Sequence, residues 1–127
     1  AGARVVVNAN AELARQIGAD GLHLPAADLL ACSARPDFAL VGASCHNTNE
    51  LAQAARLELD YALLGPVLPT RTHPDASPLG WGGLQQLLAD GFALPVFALG
   101  GLSAGDLAVA RANGAHGVAL MRAAWRE

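Results

Sequence analysis

Three observations predict an α/β fold with a parallel sheet: aliphatic runs recur along the chain, helical patterns separate them, and one junction phrase returns. Strands that alternate with helices join as right-handed β-α-β units, and such units build a parallel sheet. The runs show little polar alternation, which fits strands covered on both faces. A doubly wound sheet and a (β/α)₈ barrel both accommodate this pattern. A Gly-rich loop after the fifth run and a short helix after the sixth favour the barrel, which commonly binds phosphate at the loops following its last strands. A full barrel takes eight strands and about 250 residues, so a chain of 127 residues reads as a TIM-barrel-like fold about two units short.

The elements follow in order. "RVVVN" (4–8) is the first run, and "NAELARQIG" supplies a helix that stops at Gly18. "GLHLP" (21–25) and "ALVGASC" (39–45) are the second and third runs. "NTNELAQAARLEL" opens on Asn47 with Glu50 three residues on, close to a capping box, and presents Leu51, Ala54, Ala55 and Leu59 on one face. "YALLGPV" (61–67) is the fourth run, and "PVFALGG" (95–101) the fifth. "SAGDLAVARANG" starts a helix at Ser103, with Asp106 at the third following position, and ends it at Gly114 before the last run, "GVALM" (117–121). The junction phrase is "GADGLHL" at Gly18 and "GAHGVAL" at Gly114, with a looser copy, "ELDYALL", at Glu58. Each copy reads as a helix end followed at once by a strand.

Composition narrows the function classes. With 53% hydrophobic and 15% charged residues the chain can bury a core, and with 5% aromatics that core is aliphatic. A net charge of −3 and the absence of lysine give no footprint for nucleic acid. No apolar run approaches the roughly 18 residues of a membrane span, and no secretory leader pattern stands at the start. Cys32 and Cys45 have neither disulfide nor zinc spacing, and two reduced thiols predict a cytoplasmic protein.

In parallel α/β folds the site lies at the carboxyl ends of the strands. That rule selects Asn8, His23, Ser44, His46, Thr70, Thr72, Gly100, Gly101 and Arg122. His46 follows "GASC" and is the candidate acid/base, since imidazole titrates near neutrality. His23 lies inside a run among aliphatics and reads as a satisfied inner histidine, and His116, at the start of a run, reads as structural. "ALGGLS" (98–103) offers backbone N–H groups and a helix start to an anion, and Arg122 offers a bidentate phosphate contact. "GPVLPTRTHPDASPLGW" (65–81) carries four prolines, Pro66, Pro69, Pro74 and Pro78, which stiffen it into a site loop rather than a linker. Thr70 and Thr72 alternate within it, so in an extended segment both hydroxyls point one way.

"GADGLHL", "GASCHNTNE", "DYALLGPVLPTRTHPDASPLGW", "PVFALGGL" and "GAHGVALMRAAW" together resemble the thiamine-phosphate synthase/TenI family, collinearly from residue 4 onward. The resemblance implies a (β/α)₈ barrel that binds thiazole phosphate and pyrophosphate at its carboxyl face. It makes this chain strands three to eight, a single domain over 1–127 cut from a longer chain. It implies pyrophosphate or phosphate contacts from Ser44, Thr70, Thr72, Gly100 and Gly101, with Arg122 replacing a phosphate-binding Ser. Asn8 matches the Asn of an Asn-Asp pair whose metal-binding Asp is Ala9 here, Asp28 matches the second Mg²⁺ ligand, and His73 stands where the family's loop carries Lys. His46 aligns with the acid/base of TenI-type thiazole tautomerases. The same motifs resemble a domain fused behind Nudix (MutT-type) hydrolases, although these residues contain no Nudix box. Two functions follow from the resemblance: an enzyme of thiamine biosynthesis, as synthase or tautomerase, and a non-catalytic phosphate-binding or regulatory module of a Nudix protein. Its partners are a phosphorylated small molecule and, to cover an open sheet edge, a second copy or an upstream domain.

Overall fold

Residues 2–70 and 77–120 are described by a computed structural model of the chain. The order is β1 (Val6–Asn8), α1 (Ala11–Ile17), β2 (Gly21–Leu24), α2 (Ala26–Ala31), β3 (Leu40–Cys45), α3 (Thr48–Arg56), β4 (Tyr61–Leu64), α4 (Gly80–Leu88), β5 (Val96–Leu99), a 3₁₀ turn (Ala104–Asp106), α5 (Leu107–Ala112) and β6 (Gly117–Ala119). All neighbouring strands pair in parallel, and the sheet order is β1-β2-β3-β4-β5-β6. A doubly wound sheet reverses its strand order at a switch point. This sheet never reverses, so it winds as a barrel does. Among the described residues β1 and β6 do not pair with each other, and the arc is not seen to close.

The recurring phrase is one structural device used three times. Gly18, Glu58 and Gly114 all take positive φ, at 65°, 56° and 102°. The next residue's N–H then reaches back over the last helical turn: Ala19 to Ala14 O, Leu59 to Ala54 O, and Ala115 to Ala110 O, at 2.9, 3.1 and 3.1 Å. This six-to-one bond closes a helix in a Schellman motif. The residue after it donates to a neighbouring strand or to the residue leading into one: Asp20 to Val5 O, just before β1, Asp60 to Val41 O and His116 to Val96 O. In two copies a carboxylate answers, with Val5 N–H donating to Asp20 and Val41 N–H to Asp60, both at 2.7 Å. His116 serves the third junction through its backbone, where its carbonyl accepts from Arg111.

Helices α2 and α4 carry no clear signal in the sequence. α2 is six residues long, and its carboxyl end is capped from outside, where the Gln53 side-chain amide donates to Leu29 O and Cys32 O. α4 contains Gly80, Gly82 and Gly83, poor helix formers, and Leu84 is fully buried on it. Tertiary packing, not propensity, makes such a helix.

The two sheet faces differ, which corrects the expectation of strands covered on both. On one face Leu22, Leu24, Val41, Ala43, Cys45, Ala62, Leu64, Val96 and Ala98 are buried in one cluster with Leu29, Leu51, Ala54, Leu84 and Ala110 of the helices. On the other, His23, Ser44, Tyr61, Leu63, Phe97 and Leu99 are only half-buried. Among the described residues the helices cover the outer face of the arc, and the inner face is the less buried of the two. No helix among the described residues is long and apolar enough to cross a membrane.

Candidate functional site

The inner face carries a polar cluster. Pairing places Asn8 beside His23, His23 beside Gly42, and Gly42 beside Tyr61, so these four form one row across β1 to β4. Gly42 is the gap in that row. A Cβ there would lie 1.9 Å from Tyr61 Cζ, so the Tyr61 ring occupies the space a side chain would take. The ring thereby crosses β3 and stacks against His23, with centroids 5.7 Å apart and 24° between planes. Its hydroxyl lies 2.8 Å from His23 Nδ1, and His23 Nε2 lies 2.8 Å from Ser44 Oγ. Burial lowers the His23 pKa and keeps the ring neutral near pH 7. Burial, then the Asp60 charge, raises the Tyr61 pKa and keeps the phenol protonated. His23 is the satisfied inner histidine the sequence predicts, and one of its two partners is the candidate Ser44.

His46 follows β3 and is more than half exposed. Glu50, on the first turn of α3, is largely buried, and its Oε1 accepts from both His46 N–H (2.7 Å) and His46 Nδ1 (2.9 Å). The Asn47 side chain accepts from Glu50 N–H at 2.9 Å, as a helix cap does. The capping box is thus shifted by one residue: Glu50 reaches back to His46 rather than to Asn47. The shift gives the imidazole a fixed tautomer, with the proton on Nδ1 and Nε2 left as the basic nitrogen. Cys45, beside it, is no nucleophile. Burial, then the Glu50 charge, pushes its thiol up to about 12.

Two loops meet at the ends of β4 and β5. Val67 N–H donates to Leu99 O and Leu68 N–H to Gly100 O, at 2.9 and 3.1 Å. Gly100 and Gly101 have φ of 108° and 68°, and added Cβ atoms would stand 2.6 Å from Pro66 Cα and 2.6 Å from Pro69 O. Close approach to the proline loop accounts for both glycines. That loop returns on itself, since Leu79 N–H donates to Pro66 O and Gly80 N–H to Val67 O. Its ends are tied together, which a linker would not require. Thr70 is half-buried at its outgoing end. Thr72, His73 and Arg122 lie outside the described residues.

The metal reading is thin. Asp28 is exposed on the first turn of α2, and no three His, Cys, Asp or Glu side chains of the described residues come together as a metal site. Ala9 is exposed after β1 and holds φ at 68°. Asn and Asp tolerate that left-handed region better than other residues with a side chain. An Asn or Asp would therefore hold this backbone more easily than the Ala present.

The sequence reading missed Tyr61 and the role of Glu50. The available signal for Tyr61 was Gly42, since a glycine inside a strand marks close approach by another group.

Parallel β/α units wound in strict sequence, with polar side chains gathered at the carboxyl ends of their strands, define a barrel-type α/β protein. Within that class the chain belongs to the thiamine monophosphate synthase (TMP-TENI) family, whose model matches residues 1–124. It is 39% identical over 122 residues to thiamine-phosphate synthase of Streptococcus suis, covering 94% of this chain and 53% of that protein. It is 39% identical over 127 residues to the enzyme of the same name from Methanoculleus marisnigri, covering 97% of this chain and 60% of the other. Thiamine phosphate pyrophosphorylase from Pyrococcus furiosus superposes with a TM-score of 0.69 at 26% identity, covering 91% of this chain and 55% of that one. The chain thus spans between half and two thirds of these relatives.

Proposed function

We propose that this chain is the phosphate-binding part of a thiamine-phosphate synthase/TenI-type barrel that takes thiazole phosphate or pyrophosphate as ligand. The carrying observation is the cluster at the end of β3, where Ser44, held by His23, stands two residues before His46, held by Glu50. Ser44 and Thr70 donate hydroxyls to the anion, with Thr72 and Arg122 added from outside the described residues. The Gly100–Gly101 loop contributes backbone N–H groups, and Asn8 and His73 contact the rest of the substrate. In the synthase reaction these donors hold the pyrophosphate as it leaves the pyrimidine methylene and the thiazole nitrogen attacks. In the tautomerase reaction His46 Nε2 takes the proton, and Glu50 steadies the imidazolium that results. Asp28 is the carboxylate of this chain that would help hold a Mg²⁺ accompanying the pyrophosphate, and the ion would offset the charge that builds on that leaving group. Reduced Cys32 and Cys45 fit a cytoplasmic setting.

The carboxylate missing at Ala9 favours a second reading, a non-catalytic phosphate-binding module behind a Nudix domain. The outer edges of β1 and β6 would then be covered by that domain or by another copy. One titration separates the readings. The full chain is mixed with thiazole phosphate, with pyrimidine pyrophosphate with and without Mg²⁺, and with both substrates, while thiamine phosphate is assayed. Turnover abolished by Ser44→Ala establishes the synthase. Thiazole phosphate binding without turnover establishes the module. Binding weaker than about 1 mM for every ligand overturns the phosphate site.

A further inference from the structure

The Tyr61–His23–Ser44 chain does more than satisfy a buried imidazole. A neutral imidazole has one N–H and one bare nitrogen, so the chain has two proton orders. In the first, Tyr61 O–H donates to Nδ1, Nε2–H donates to Ser44 Oγ, and the Ser44 proton is left to give away. In the second, Nδ1–H donates to the Tyr61 oxygen and Ser44 O–H donates to Nε2. The Ser44 oxygen then offers only lone pairs to a ligand, which an anion oxygen repels. The second order also strips the Tyr61 proton of its acceptor. Among the described residues the Tyr61 hydroxyl has no hydrogen-bond partner except His23. The first order instead leaves the Ser44 proton without an acceptor among the described residues, so the unliganded chain has one unmatched hydroxyl proton in either order. An anion at Ser44 breaks the tie, because only the first order then gives every proton an acceptor.

We propose that Tyr61 and His23 are positioning residues that fix the polarity of Ser44, holding its hydroxyl as a donor for an anionic oxygen. Gly42 belongs to the device, because only an absent side chain lets the Tyr61 ring cross β3 to His23. The inference rests on the phosphate reading of Ser44. It adds that the specificity for an anion is set two hydrogen bonds away, by a phenol that touches no ligand.

Histidine tautomers are read directly from ring ¹⁵N and ¹³C shifts, and His23→Gln assigns the His23 signals in the full chain. With inorganic pyrophosphate bound, the wild-type His23 proton resides on Nε2. In Tyr61→Phe the Nδ1–H form becomes populated, and the dissociation constant for inorganic pyrophosphate rises about three- to tenfold, the loss of one hydrogen bond's preference. Ser44→Ala sets the ceiling of that loss. A pyrophosphate-bound wild type with His23 protonated on Nδ1 overturns the proposal, as does a Tyr61→Phe variant with unchanged tautomer and affinity. If pyrophosphate does not bind the wild type but Tyr61→Phe shifts the His23 tautomer, the coupling of Tyr61 to His23 stands. The anion role of Ser44 then fails, and with it the phosphate reading.

Discussion

The two ends of the sheet are built on different terms. Where helices feed strands, the chain repeats one solution at residues 18–20, 58–60 and 114–116, with the same left-handed residue and the same back-reaching N–H. Where strands feed helices, no two loops are alike: Asn8, Ser44 with His46, the proline loop and Gly100–Gly101 each occur once. The first end is made by local rules and can be copied along the chain. The second joins residues far apart, and its geometry depends on which strands lie side by side. Stability and site chemistry are thus separable here, and substitutions at the two ends test that separation.

The largest effect belongs to the site end. Gly42→Ala would put a Cβ at 1.9 Å from Tyr61 Cζ, which forces the ring off β3 and away from His23. We expect a loss of about 1–3 kcal/mol, the usual range for overpacking, together with the weakened pyrophosphate binding of Tyr61→Phe. Gly82→Ala is the control. It lies on α4 with nothing within 4 Å of an added Cβ, and it should gain about 0.5–1 kcal/mol from helix propensity. Thermal denaturation of both decides the matter, and a Gly42→Ala chain as stable as Gly82→Ala would sever the link between Gly42 and Tyr61.

The next effect tests the junction end. The Asp60 carboxylate accepts from Val41 N–H and from Arg35, both at 2.7 Å. Burial alone would raise its pKa, but the Val41 N–H, the Arg35 hydrogen bond and the charges of Arg35 and Arg4 outweigh it and hold the carboxyl below its usual range. The folded state therefore favours the charged form. Its contribution is complete above the ordinary carboxylate value near 4 and is lost as pH falls through the lower folded value. Asp60→Asn should cost about 1 kcal/mol at pH 7, a modest figure because the side chain is over a third exposed and screened. The deficit should shrink below about pH 4, where the wild type loses the same charge. A deficit that stays constant down to pH 2 would deny the ion pair its role.

The contrast also explains what could be read in advance. The strands, helices α1, α3 and α5 and the three junctions lie in runs of a few residues each, where glycine, a cap and an aliphatic stretch speak for themselves. Asn47 and Ser103 announce their helices in the same way. Helix α4 hides behind Gly80, Gly82 and Gly83, and what holds it is the burial of Leu84, a tertiary fact. The site was legible as positions but not as partners. Ser44 and His46 follow from the strand-end rule, whereas His23 meets Ser44 across 21 residues and Tyr61 across 38. Glu50 looked like a helix cap because it is one, and only the shifted register brings it to the His46 ring.

The smallest effect probes the one irregular copy of the junction. Glu58 holds φ at 56° where its two counterparts are glycine. A side chain in that region costs roughly 1–2 kcal/mol. Replacing it by glycine relieves that strain but enlarges the freedom of the unfolded chain, which returns about 0.4–1 kcal/mol. The Arg35 bond at this junction goes to the Glu58 backbone carbonyl, at 2.6 Å, so it survives the exchange. Glu58→Gly should therefore be more stable by about 0.5 kcal/mol, near 1–2 °C in Tm for a domain of this size. Gly18→Ala, with nothing within 4 Å of its new Cβ, isolates the backbone cost and should lose about 1 kcal/mol. Gly114→Ala should lose more, because its Cβ would also press on Leu88 Cβ at 3.2 Å. If Glu58→Gly instead lowers Tm, the third copy is held by its side chain rather than by its backbone, and the junctions are alike in shape alone.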